Sequence, residues 1–392
     1  MKIEAVIGAN YGDEGKGLFT EYLCRNRPKP LVVMSNGGCQ RGHTVNNTEK
    51  KIRHVFHHFG SGALIGIPTL FSKTFLLNPI MFMKEYDELC NLGITPDAYR
   101  SSRCVIQFPS DMFINQQLEK HRERSSSKHG SCGWGIWETI VRNREYMNLQ
   151  FEDFLNISFN DKKKCLDDAL DWQIENRFKH ENDLKLDEEV LKIIKSDSFN
   201  NHFIDDVCKM AKCCACMTSE NVVDWAENTG HETLVIENAQ GLLLDSEYAP
   251  VDENGRTDIH ATPSKTGLAG ALASLGHSVN INDVTPNYIS RTYMTRHGAG
   301  PFPEESPNLV FEDATNVHNE YQDSMRFGKI DNAVAIEMLK RISTDAHSFD
   351  CVPRIALTHM NESRCMLLEE NANYLSYEDD SSKIRERQNQ DI

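Results

Sequence analysis

Ala5-Val6-Ile7-Gly8-Ala9-Asn10-Tyr11-Gly12-Asp13-Glu14-Gly15-Lys16-Gly17 is the stretch that decides the fold. A short apolar run passes into a glycine-dense turn, and a helix is expected to begin near Leu18. Strand, turn and helix in this order make a phosphate cradle. The glycines let backbone N–H groups approach phosphate oxygens, the helix N-terminus adds the positive end of its dipole, and Lys16 supplies a full charge. The spacing is not that of a Walker A loop, because no Ser or Thr follows Lys16. Asp13 inside such a loop repels phosphate unless a Mg²⁺ lies between them or its carboxylate moves a proton. A glycine turn with an incidental exposed Asp is the plain alternative.

Further apolar runs at residues 31–34, 234–236 and 355–357 resemble 5–8: each is short, and each ends in a polar or Gly-containing loop. Strands buried on both faces of a parallel sheet look like this. Between them lie helix-period segments such as residues 79–92, where Met81, Phe82, Tyr86 and Leu89 recur at three- and four-residue steps. The fold class expected is therefore α/β: a largely parallel central sheet flanked by helices, P-loop-NTPase-like, with helical insertions. After the second strand comes Asn36-Gly37-Gly38-Cys39-Gln40-Arg41-Gly42-His43-Thr44, another glycine-dense loop, this one presenting a histidine. Ligands of open α/β sheets bind at the C-terminal ends of strands, so two such loops on one edge bring Asp13 and His43 together as base and acid.

At 392 residues the chain accommodates one large domain with insertions. A single domain is expected over 1–368, with 151–230 a mainly helical insertion and 369–392 a charged, frayed tail. The formal charge of -16 argues against nucleic acid. The opening apolar run is too brief for a signal peptide or membrane span, so a cytoplasmic protein is expected. The twelve cysteines are read as free thiols, because the 208–216 cluster lacks zinc-finger spacing. Residues 121–135, polar and then rich in glycine, are expected to form a mobile substrate loop.

With these motifs in place the sequence resembles the adenylosuccinate synthetases. The Gly12–Gly17 hexapeptide, Gly42-His43-Thr44, Ile236-Glu237-Asn238-Ala239-Gln240-Gly241 and Arg296-His297-Gly298-Ala299-Gly300-Pro301-Phe302-Pro303 are similar to the family's signatures and follow its order. The resemblance covers roughly residues 1–360. It implies a ligase that activates O6 of a purine nucleoside monophosphate, inosinate, with a nucleoside triphosphate, then joins L-aspartate at C6. Asp13 would be the base and His43 the acid, with Mg²⁺ held by Asp13 and the carbonyl of Gly42. Gly12, Glu14, Gly15, Lys16, Gly17, Gly42, Thr44 and Asn361 would meet the triphosphate. Gln40, Ser131, Cys132, Gln240, Thr262 and either Arg142 or Arg144 would hold the monophosphate. The family forms homodimers, so that arginine would act across the interface.

Three departures mark this chain. The family's aspartate-binding loop ends in consecutive arginines, whereas residues 320–328 keep only Arg326, and recognition of a dicarboxylate favours paired cations. Another amine co-substrate thus stands beside aspartate. Asn361 occupies the position of a guanine-binding carboxylate, which opens ATP beside GTP. The short C-terminus resembles the viral branch, which makes 2-aminoadenylosuccinate from deoxyguanylate, yet Asp13 is kept where most of that branch carries a small hydroxyl residue. A nucleotide-binding homologue without ligase activity is the reading from another class, and an intact acid and base count against it.

Overall fold

A computed structural model describes residues 1–124, 131–178, 186–248, 260–262, 264–276, 279–313, 315 and 324–387. Ten strands form the central sheet: β1 (Lys2–Gly8), β2 (Pro30–Met34), β3 (Thr69–Phe71), β4 (Ala98–Arg100), β5 (Ala215–Cys216), β6 (Thr233–Glu237), β7 (Val284–Arg291), β8 (Arg354–Thr358), β9 (Tyr374–Leu375) and β10 (Arg385–Glu386). Their spatial order is β10-β9-β8-β7-β1-β6-β2-β3-β4-β5. Every pairing is parallel except β9 with β10. The α/β architecture read from the apolar runs is the one observed, with β1, β2, β6 and β8 on the four runs.

Alternation along the strands divides the core. Ile3, Ala5, Ile7, Leu31, Val33, Leu234 and Ile236 pack on one face of the sheet, and Val6, Val32, Met34 and Val235 on the other, where they meet Phe19, Phe56, Phe59 and Phe71. Strand β7, which lies beside β1, was invisible to hydropathy because Pro286, Asn287 and Ser290 interrupt it. Its ladder to β8 begins at Asn287, one residue after the proline, so the missing N–H costs that ladder nothing. The first helix, Lys16–Asn26, begins two residues earlier than expected and is capped by Gly15 at φ 89°. In the second, Pro79–Asn91, the Asn78 side chain accepts the Met81 N–H at 3.1 Å. Residues 151–230 hold the helices Phe151–Asn156, Phe159–Arg177, Glu188–Ile194, Asp197–Cys213 and Val222–Asn228, along with edge strand β5.

The stretch from 369 onward does not fray through residue 387, contrary to expectation. After the helix Met366–Asn371 it adds β9 and β10 to the sheet, and Tyr374 is fully buried. The Tyr374 ring lies edge-on to Phe19 at 5.0 Å and to Tyr22 at 5.6 Å, and its hydroxyl accepts from Arg354 at 2.7 Å. A few apolar anchors spaced among charges escape a composition argument, yet they suffice to dock a segment. Among the described residues no helix is long and apolar enough to cross a membrane, and all twelve cysteines are free thiols. Tyr374→Ala is expected to lower unfolding stability by about 3–5 kcal/mol in a denaturant titration, the usual cost of emptying an aromatic core site, whereas a frayed tail would give no change.

Candidate active site

The C-terminal ends of β1, β6, β2, β7 and β8 converge on the loop after β1. Gly12 at φ 104°, Asp13 at φ 58° and Gly15 at φ 89° curl the chain through the left-handed region, which Asp tolerates better than most residues. Neighbouring side chains hold its carbonyls: Thr295 Oγ1 donates to Gly12 O at 2.8 Å, Arg291 Nε to Asp13 O at 2.6 Å, and Thr358 Oγ1 to Glu14 O at 3.0 Å. Among the described residues the N–H groups of 12–17 have no loop partner, the arrangement that binds phosphate oxygens. A Cβ on Gly8 would stand 2.3 Å from Glu14 Oε2 and 2.5 Å from Gln240 O, so only glycine lets the loops after β1 and β6 close.

Two buried charges lie in the cradle. Glu14 accepts the Asn10 N–H at 2.6 Å, while its Oε2 has no hydrogen-bond partner among the described residues and lies 4.0 Å from Lys16 Nζ. Burial pushes the Glu14 carboxyl up to about 7 against the pull of Lys16. The Lys16 ammonium is pushed down by burial, which Glu14 and Asp13 oppose. The Asp13 carboxylate, half-buried, has no ion pair or hydrogen bond among the described residues, so it is available for a proton or a cation.

His43 opens a hairpin of His43–Asn47 and Ile52–Phe56. It packs against the start of the first helix, where a Cβ on Gly17 would stand 3.0 Å from its own Cβ. Its Nδ1 lies 2.5 Å from Glu237 Oε1. That carboxylate, fully buried at the end of β6, also accepts the Ser61 N–H at 2.9 Å and hydroxyl at 2.5 Å. Burial pushes His43 down and Glu237 draws it back up; burial alone would raise Glu237, but His43, Arg41 and Ser61 hold it below its usual value. The Nδ1 contact directs Nε2 away from Glu237 and fixes the ring. The sequence signal for Glu237 is a lone carboxylate closing the apolar run 234–236; its partners His43 and Ser61 are distant in the chain.

Gln240 sits at φ 64° beside Gly12, and its buried Oε1 has no hydrogen-bond partner among the described residues. Gln40 accepts the Gly38 N–H at 2.6 Å. Ser131 bonds Asn115 at 2.9 Å, the Cys132 thiol is pushed up to about 11 by burial, and Thr262 is nearly buried with its N–H on Leu244 O at 2.7 Å. Thr44 meets Thr315 at 2.8 Å, and Asn361 is exposed just beyond β8.

One arginine reading is corrected. Arg142 is fully buried, donating from Nε and Nη2 to the two carboxylate oxygens of Asp111 at 2.9 Å each, and from Nη2 to Ile106 O at 2.7 Å. Its guanidinium is spent inside the chain, whereas Arg144 is exposed beside Trp137 and paired only with Glu145 at 2.5 Å among the described residues. Arg326 donates to Glu305 at 2.9 Å and to the carbonyls of Gly298 and Gly300 at 2.8 and 3.0 Å. Residues 125–130 of the expected mobile loop and residues 320–323 beside Arg326 lie outside the described residues. Arg41, Arg291 and Arg341 were missed as well. Arg341 holds the loop after β1 by donating to Ala9 O at 3.2 Å and Asn10 Oδ1 at 2.9 Å.

The family model for adenylosuccinate synthetase matches residues 5–343. An adenylosuccinate synthetase of Prochlorococcus marinus is 26% identical over 390 residues, which cover 97% of this chain and 80% of that one. One of Thermodesulfovibrio yellowstonii is 28% identical over 326 residues, covering 82% and 69%. Among solved structures, fully ligated adenylosuccinate synthetase from Plasmodium falciparum superposes with a TM-score of 0.66 at 19% identity, covering 92% of this chain and 77% of that one. A cyanophage S-2L succinoaminodeoxyadenylate synthetase, bound to dGMP and to dATP as an energy donor, gives 0.60 at 13% identity, covering 98% and 95%. These two likenesses establish the fold.

Glu14 gives a pH-dependent prediction for the ligand-free protein. Its carboxyl rises from 4.5 to about 7 on folding. Its contribution to stability is therefore full below 4.5 and is lost as pH rises through 7. Glu14→Gln is expected to flatten that loss, on the order of 3 kcal/mol across the window, so its advantage in melting temperature over the parent is larger at pH 8 than at pH 5. Equal differences at the two pH values would remove the assignment.

Proposed function

The chain belongs to the adenylosuccinate synthetase family of C–N ligases, and on that premise we propose that it activates O6 of inosinate with a nucleoside triphosphate and joins L-aspartate at C6, releasing phosphate. The observation that carries the reading is His43, fixed by Glu237 and packed against the phosphate loop at Gly17, on the same sheet edge as the free Asp13 carboxylate.

A carbonyl oxygen is a poor leaving group. Asp13 removes the N1 proton of the purine, which puts electron density on O6 for attack on the γ-phosphate. His43 Nε2–H stabilises the charge that develops there. Burial disfavours the imidazolium; phosphates bring negative charge, and with Glu237 on the far nitrogen they raise the proton affinity of His43 at the moment an acid is needed. Phosphate departs from C6 when the amine attacks. Lys16 and the N–H groups of 12–17 bind the triphosphate. Gln240, whose Oε1 has no partner, bonds the purine, with Gln40, Ser131, Cys132 and Thr262 around the monophosphate.

The donor set suits Mg²⁺, which takes one or two protein oxygens and completes its shell with phosphate and water. The Asp13 carboxylate and the Gly42 carbonyl would hold it, and the ion would neutralise charge on the phosphates.

A second reading is a viral-type enzyme acting on dGMP with ATP. Asn361 in place of a guanine-binding carboxylate supports it, as does the likeness over nearly full length to the cyanophage enzyme. Asp13 favours inosinate, because a small hydroxyl residue there would make room for the 2-amino group of guanine.

Phosphate release measured across inosinate or dGMP, ATP or GTP, and a panel of amino acids decides between them. Turnover with inosinate and aspartate is expected; turnover with dGMP alone selects the second reading, and activity with none leaves a nucleotide-binding homologue. Asp13→Asn is expected to lower kcat by roughly 10²- to 10⁴-fold while monophosphate binding persists; a fully active variant would remove the base assignment. In a homodimer Arg144 serves the partner's site, so mixing inactive Asp13→Asn and Arg144→Leu proteins should restore measurable activity, and no restoration would refute the exchange.

A further inference from the structure

Residues 379–381 bridge the two elements that form the catalytic edge. Asp380 is 3% exposed and Ser381 fully buried. Asp380 Oδ2 accepts the Thr48 N–H at 3.3 Å and the Thr48 hydroxyl, its backbone bridges in parallel to Asn46, and Asn46 Nδ2 donates to Asp379 at 3.0 Å. Asn46 and Thr48 lie on and just beyond the strand that begins at His43. On the other side the Ser381 hydroxyl donates to Glu21 Oε2 at 2.8 Å, and Arg25 Nε donates to Ser381 Oγ at 3.1 Å. Glu21, fully buried and paired with Arg25 at 2.8 Å, belongs to the helix that starts at Lys16. The segment thus ties the strand carrying His43 to the helix carrying Lys16. The segment meets the strand at Asn46 and Thr48, three and five residues on from His43 (roughly 10 Å along the strand at Asn46), and among the described residues no hydrogen bond joins it to His43, Asp13 or Lys16.

We propose that Asp380 is a positioning residue for His43, holding the hairpin at a fixed offset from the phosphate loop so that the imidazole meets the transferred group. The proposal rests on the reading of His43 as the acid. His43 packs so closely on Gly17 that a Cβ added there would stand 3.0 Å from its own Cβ, so a hairpin free to slide against the helix changes the gap between Nε2 and the loop, and misplacement by an ångström costs catalysis far more than it costs binding. Burial alone would raise the Asp380 carboxyl, but the bonds from Thr48 and Ser382 hold it below its usual value and keep it an acceptor.

Asp380→Ala and Thr48→Val, singly and together, are compared by steady-state kinetics in the parent and in a His43→Ala background. Hydrogen exchange at residues 43–48 and at β1 is followed in the ligand-free proteins. Each single change is expected to lower kcat about tenfold with the KM for the purine monophosphate shifted less than about twofold, and the pair to cost no more than either. In the His43→Ala background neither should lower kcat further, and exchange should quicken at 43–48 but not at β1. An unchanged kcat, or the same fractional loss without His43, overturns the proposal, because a merely structural brace would act in both backgrounds. Should Asp380→Ala fail to fold, Thr48→Val carries the same comparison from the hairpin side. If the parent turns over no substrate, the ligase reading fails on its own, and unchanged exchange at 43–48 would still overturn the role given to Asp380.

Discussion

Glu237 sets the terms for the rest of the site. A carboxylate at the end of a central strand, sealed from water, costs several kcal/mol unless donors replace its hydration. Three converge on it: the backbone and hydroxyl of Ser61, and Nδ1 of His43. Arg41 adds charge nearby, bonding the Asn36 carbonyl at 2.7 Å and reaching the Glu237 carbonyl at 3.4 Å; even with its guanidinium pushed down to about 10 by burial it stays charged. Satisfying one buried charge therefore draws the loop after β2, the turn at Ser61 and the His43 hairpin onto the end of β6. Gln240 follows three residues later and is brought to Gly12 by the same convergence.

The phosphate loop is organised in the opposite sense. Donors from outside it, Arg291, Thr295, Thr358 and Arg341, take up carbonyls and leave the N–H groups of 12–17 to face a ligand. Inside, Glu14 and Lys16 stand 4.0 Å apart, and each is shifted toward its neutral form by burial. Burial thus opposes both charges of the pair, and an anion drawn to the loop would favour the charged form of Lys16.

Much of this was legible in the sequence, where residue type and spacing carry the chemistry locally. The runs at 5–8, 31–34, 234–236 and 355–357 became strands because double-sided burial demands unbroken apolar sequence. What stayed hidden depends on distant partners. β7 is masked by Pro286 and Asn287. The segment from 374 to 387 reads as charge, yet Tyr374 docks on Phe19 and Tyr22 from more than 350 positions away in the chain. Arg142 and Arg144 lie two residues apart on one short helix, and only packing tells that the first spends its guanidinium on Asp111.

Packing also sharpens the question of the amine co-substrate. Bidentate recognition of a carboxylate uses two parallel N–H groups on one edge of a guanidinium. In Arg326, Nη1 is given to Glu305 and Nη2 to the carbonyls of Gly298 and Gly300, so both the end-on pair and the pair of Nε with Nη2 contain a committed member. A carboxylate can take two parallel N–H groups of Arg326 only by displacing the Gly298 and Gly300 carbonyls from Nη2, and on the end-on edge it also meets Glu305, a residue of its own charge. On the proposed reading the co-substrate end of the site is therefore the part most exposed to change, whereas Asp13, Lys16 and His43 lie on the phosphate side and make no contact with Arg326 among the described residues.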